Sequence, residues 1–148
     1  MKNMIVVAIA GITLSATSVA YSREQGYFST PEQYASANLE MAQKNYQVAL
    51  KAGNNGLTES AIAQVAMLGI MAPERVSDQM KESVAEMVSS GTSASIRYEA
   101  YLTTMVLEHP SLFAREKRHT FADAGELFAT IGNTLQRELI AGNARTAD

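Results

Sequence analysis

Any chemistry in this chain would have to start from its two histidines and the dense charge run Arg115-Glu116-Lys117-Arg118 that leads into the second of them. A helical metal pair holds its ligands at i and i+4, so that both meet one ion. His109 and His119 stand ten positions apart. No pair of Glu-x-x-His motifs offers a carboxylate-rich alternative. His109, directly before Pro110, reads as a helix-end residue favoured by the helix dipole. The run 115–119 would suit a phosphate, a carboxylate or an acidic partner; its plainer reading is a solvated face, with Glu116 diluting the charge. The chain has no cysteine, which removes disulfides, zinc thiolates, Cys nucleophiles and cysteine-linked haem. There is no Gly-x-Ser-x-Gly elbow, and Ser60, Ser83 and Ser95 have no identifiable base. The Gly53–Gly56 turn lacks the Lys-Ser/Thr of a phosphate loop. Glu82 and Glu86 are neighbours on one helix face, whereas glycoside hydrolysis needs carboxylates opposed across a cleft. No catalytic residue, metal or cofactor is therefore expected. Met41, Met67, Met71, Met80, Met87 and Met105 fall in apolar helical patterns and read as core filling, the functional alternative being an adaptable groove.

The N-terminus reads as a secretory signal. Lys2 supplies the positive charge, Met4 to Leu14 is uncharged and largely apolar, and Ser18 and Ala20 are the small residues before a cut after Ala20. The rival reading is a retained anchor, since the uncharged stretch approaches the roughly 20 residues that span a bilayer. The full chain has 148 residues and a net charge of −3. Loss of Lys2 with the signal leaves 11 basic against 15 acidic residues, or −4. That balance disfavours nonspecific binding to nucleic acid or anionic membrane. The remaining chain is long enough to bury about two-thirds of its unfolded surface in one core without metal or disulfide.

The elements that must position any site are helices. No stretch alternates with period two, so the fold class is all-α with about five helices. Residues 21–30 read as a flexible leader, with Tyr27 and Phe28 available to dock. A helical domain follows over 31–142 and a disordered tail over 143–148. Thr30 and Pro31 open the first helix, Ala35, Leu39, Ala42, Tyr46 and Ala49 share a face, and Gly53 closes it. The second runs from about Leu57 to Met71, apolar around much of its circumference and hence central; Pro73 stops it. Ser77 or Asp78 caps a third with Met80, Val84, Met87 and Val88 inward, closed by Gly91. The fourth runs from near Ser95 to His109-Pro110, and the last from about Asp123 to Ala141 with Phe128, Ile131, Leu135 and Leu139 inward. Residues 111–120 fit no single period. The expected buried set also includes Leu57, Ala61, Ile62, Val65, Leu68, Ile96, Ala100, Tyr101 and Leu107.

Helices two and four align at an offset of about 39, placing Leu57 on Ile96, Ala61 on Ala100 and Leu68 on Leu107. A recurring helix–turn–helix unit of this length is a solenoid signature. The segments GLTESAIAQVAML and SIRYEAYLTTMVL, with Ile96-Arg97 and Ala100, resemble second helices of HEAT-type repeats. The resemblance covers about residues 40–110, two units flanked by capping helices, and extends to small exported bacterial proteins of this helical type. Leu57-Thr58 departs from the pattern by lacking its arginine. What the resemblance implies is a noncatalytic scaffold for a protein or peptide. Its alternatives are an envelope enzyme with a site assembled from scattered residues and a small-ligand carrier. In stacked pairs the second helices line one face. Thr58, Gln64, Arg97, Tyr98 and Tyr101 are thus the candidate partner contacts, with Arg97 alternatively bonding a neighbouring helix end.

Overall fold

The computed structural model of the chain describes residues 27–29, 33–34 and 38–145. Among them are α-helices and 3-10 turns and no strand, so the fold is all-α. The signal segment and its cleavage point lie outside the described residues, as does Ala35. No described helix is long and apolar enough to cross a membrane.

Helix α1 (Leu39–Leu50) starts where the Asn38 side chain accepts from the Met41 N–H. The expected start at Thr30 and Pro31 lies outside the described residues; Gln33 and Tyr34 are helical, Asn38 is not, and α1 begins after it. An amide oxygen at this position satisfies one of the four donors a helix start leaves open. Gly53, at φ +68°, carries the chain out in the left-handed conformation that glycine adopts without a Cβ clash. Helix α2 (Asn55–Met71) is capped by Asn54, which accepts from Leu57 N–H, and ends at Ala72 before Pro73. Ser77 caps α3 (Asp78–Ser90) by accepting from Met80 N–H, and Ser93 caps α4 (Ala94–Glu108) by accepting from Ile96 N–H. Gly91 closes α3 with φ −56°, so handedness is not what selects glycine there. Space is: a Cβ would lie 2.8 Å from the Met87 carbonyl oxygen and 2.8 Å from Ile96 Cγ2.

These caps recur in register. Asn38 and Ser77 are 39 positions apart, as are Asn54 and Ser93. The residues whose N–H groups they receive, Met41 and Met80, then Leu57 and Ile96, keep the same spacing. Helix α1 packs on α2, α3 packs on α4, and the two pairs meet mainly through α2 and α4. The two interhelical turns are tied by Thr92 Oγ1, which lies 2.7 Å from Asn55 Oδ1.

Helix α2 is the central element. Ten of its residues are buried, from Thr58 through Ile70, on all sides of the helix, as its all-round apolarity requires. It packs against α1, α4, the 3-10 helix Pro110–Arg118, and α5 (Ala124–Arg145). The segment that fits no period is that nine-residue 3-10 helix, and its Phe113 is fully buried. A 3-10 helix repeats every three residues, which sets Glu116 in line with Phe113; Phe113 is buried, Leu112 and Glu116 are half-buried, and Arg115, Lys117 and Arg118 are exposed. The Glu116 carboxylate accepts a long hydrogen bond of 3.5 Å from Thr134 Oγ1 on α5. Phe28 is buried and meets Phe121 edge-on, so the leader docks through that ring while Tyr27 stays outside.

The expected helix faces hold in part. On α1, Leu39 is buried and Ala42, Tyr46 and Ala49 are half-buried, Tyr46 and Ala49 against the core, as expected; the same face also buries Leu50 and the polar Gln43. The Gln43 amide nitrogen donates to the Leu39 and Arg75 carbonyls, and its Oε1 accepts from Ser77 N–H at 2.8 Å. A polar side chain is buried here because its bonds are made. Leu57, in the first turn of α2, and Tyr101, on the outer side of α4, are exposed although both were expected inside. On α5, Leu127, Phe128 and Ile131 are buried and Leu135 half-buried, but Leu139 is 70% exposed. Helix α5 also continues to Arg145, past the domain end expected at 142 and into the expected tail. Met41 is exposed as well, whereas Met67 and Met80 are core.

Candidate functional site

Two residues of the expected partner face are internal ties. Thr58 is buried, and its hydroxyl donates to the Ala49 carbonyl at 3.3 Å. Arg97, its counterpart 39 positions on, donates through Nη1 to the Gly91 carbonyl at 2.8 Å. Each side chain thus fastens the turn that precedes its own helix by satisfying a carbonyl at the end of the previous one. Thr58 is removed from any contact surface by burial, and Arg97 takes its helix-end role. Gln64 is half-buried on α2 and lines no cleft described here. The second helices do not form an open face, because α5 and the 3-10 helix cover α2.

Tyr98 and Tyr101 do come together on a concave surface. It is a groove of about 530 Å³ between α4 and α5, lined by both tyrosines, Leu102 and Glu99 on one side and by Phe128, Gly132, Gln136 and Leu139 on the other. Tyr98 and Tyr101 are 57% and 46% exposed. The first turns of α5 sit on the core through Leu127, Phe128 and Ile131, while Leu139 and Ile140 farther along the helix are exposed. The Tyr98 hydroxyl packs over Gly132, 3.4 Å from where a Cβ would stand, an ordinary van der Waals distance.

Glu99 is the one ionisable carboxyl in this lining. Ser95 Oγ donates to its Oε1 at 3.2 Å, while Oε2 is shielded from solvent and has no hydrogen-bond partner. Burial raises its pKa, the nearby charge of Glu59 raises it further, and the Ser95 bond pulls the other way. Neither histidine lines the groove. His119 instead pairs with Glu126 at 3.0 Å and lies against the Phe121 ring. Glu126 is held below the usual carboxylate range by the Ala122 N–H and by His119. With Asp123 accepting from Glu126 N–H, this is the N-terminal cap of α5.

Family models, curated proteins and solved structures gave no match to this chain.

A second cleft, of about 380 Å³, lies between α1 and the α2–α3 connection, with Gln43, Lys44, Gln47 and Arg75 in its wall. Its polar groups are engaged: Gln43 as above, Arg75 with the Tyr34 carbonyl at 2.7 Å, and Lys44 with Glu40 at 2.8 Å. Among the described residues no group of three His, Asp or Glu side chains is placed to hold a metal ion. The two tyrosines were expected at a contact surface because second helices of stacked pairs share one face, although Tyr101 also stood in the expected core. Sequence reasoning missed Leu139, Gln136 and Gly132, because the stripe on the last helix reads as inward-facing throughout.

Proposed function

We propose that this chain is an exported, noncatalytic helical scaffold of HEAT-like pairs that holds a protein or peptide in the groove between α4 and α5. The observation that carries the reading is the pairing of exposed Tyr98 and Tyr101 with exposed Leu139 across one concave surface whose lining holds a single ionisable carboxyl, Glu99. Large rings with a polar tip dominate binding surfaces because they bury much area with little loss of conformational freedom. The recurrence of caps at a 39-residue spacing supports the repeat part of the reading. The signal-like N-terminus, with small residues at Ser18 and Ala20, supports export to the periplasm or medium.

Two experiments test it. A photo-crosslinking amino acid placed at Tyr101 in cells expressing the full chain is expected to trap a polypeptide, whereas the same probe at Ser89, exposed on α3, traps none; equal trapping at both sites removes the groove. Intact mass of the exported protein is expected to match a chain beginning at Tyr21. A mass that includes residues 1–20, recovered with the membrane fraction, would instead establish an anchor.

A further inference from the structure

Whatever fills the groove, we infer that the contact between α2 and α4 is a pH-sensitive joint, in which protonation of Glu99 tightens the hold of one helical hairpin on the other. Glu99 lies on α4, which packs on α2, and it also lines the groove against α5. Its carboxyl is only half engaged. Ser95, one turn earlier, donates to Oε1 at 3.2 Å, while Oε2 is shielded from solvent and meets no donor. An ionised oxygen in that position has given up water without gaining a hydrogen bond, which costs free energy. The neutral acid gives up much less.

The groups set against Glu99 make its charge harder to hold. From α2, in the other hairpin, the half-buried Glu59 acts on it as a second negative charge. From α5 the groove wall supplies the amides of Asn133 and Gln136 and apolar side chains, with no ionisable group. From α4 come Ser95, Tyr98 and Tyr101, while the neighbouring Arg97 is committed to the Gly91 carbonyl. Among the described residues, no charge from α3 or the 3-10 helix acts on it, and the ion pairs lie elsewhere. Burial first, and Glu59 second, hold the Glu99 pKa above the ordinary glutamate range. The folded form thus binds this proton more tightly than the unfolded chain does. Stability from the group is complete when Glu99 is protonated, and it is lost as pH rises from the ordinary glutamate value through the raised one. Glu40 and Glu126, held low by their partners, act in the opposite sense, but below that ordinary value.

Thermal unfolding between about pH 7.5 and about pH 5, the range just above ordinary glutamate titration, tests the joint. The midpoint of the parent protein is expected to rise on acidification. Glu99→Gln keeps the shape and removes the charge. It is expected to melt above the parent at the neutral end and to lose most of the rise. Glu59→Gln is expected to act in the same direction by a smaller amount, because the larger cause, burial of Glu99, remains. Carbon-13 NMR of the side-chain carboxyls reads the proton itself: in the parent, Glu99 is expected to titrate above the ordinary glutamate value, and in Glu59→Gln to move down toward it. A Glu99 that titrates at or below that value overturns the inference. So does a Glu99→Gln variant with the pH dependence of the parent. Should Glu99→Gln fail to fold, the two NMR titrations decide, and a Glu99 titration unmoved by Glu59→Gln overturns the joint.

Discussion

Replacing Phe113 by alanine is expected to destabilise the protein by about 3–5 kcal/mol, the range for truncating a fully buried aromatic ring. The ring is completely shielded and hangs from a 3-10 helix that packs on both α2 and α4. A nine-residue 3-10 helix has poorer internal hydrogen bonds than an α-helix and does not hold its shape alone. Arg115, Lys117 and Arg118 face solvent, and beside Phe113 only the half-buried Leu112 packs on the core from this segment, with Glu116 bonded to Thr134. Loss of the ring therefore removes the one fully buried anchor of the segment, in addition to leaving a cavity. Equilibrium urea unfolding measures the change. A decrease below about 1 kcal/mol, the size of an ordinary surface-to-core adjustment, would show that residues 110–118 are not docked as described.

The second large effect is at the centre. Leu68→Ala is expected to cost about 2–5 kcal/mol, which is a large share of the roughly 5–15 kcal/mol that holds a domain of this kind folded. Leu68 is 1% exposed on the helix that touches every other long element except α3. A site enclosed from several directions relaxes poorly, so the value should fall in the upper half of that range. Thermal unfolding followed by far-ultraviolet circular dichroism checks it. A midpoint equal to that of the parent would mean that α2 is not the core helix.

Much of the fold could be read from punctuation. Ser77, Pro73 and Gly53 mark helix ends by local chemistry that does not depend on the rest of the chain, and each stands where that chemistry puts it, whereas Asn54, placed in a turn, caps a helix that starts two residues before the expected Leu57. The centrality of α2 followed from its lack of a polar side. What failed did so where a contact across the fold outweighed the local pattern. Gln43 is buried because a distant turn, Arg75 to Ser77, supplies its partners. Phe113 was hidden because its period of three is interleaved with charges. The groove was half legible: Tyr98 and Tyr101 were offered as contacts because second helices of stacked pairs share a face, but the facing wall depends on where α5 lies. Thr58 looked like a surface group because its sequence neighbours do not reveal the Ala49 carbonyl it reaches, whereas the helix-end bond of Arg97 was one of the two readings open for it.

The order of packing along the chain bears on how it folds. Helix α1 meets α2 and α3 meets α4, each across a turn of a few residues, so the loops closed first are short and cost little chain entropy. Helical proteins with such local contacts reach the native state in microseconds to milliseconds. The exception is the lid over α2, where Phe113 and α5 return to a helix that ended about forty residues earlier in the chain. The two hairpins would then be the early-forming unit and the Phe113–α5 lid the last to close and the first to open. In an opening that stops short of global unfolding, the amides of α5 would exchange with solvent before those of α2.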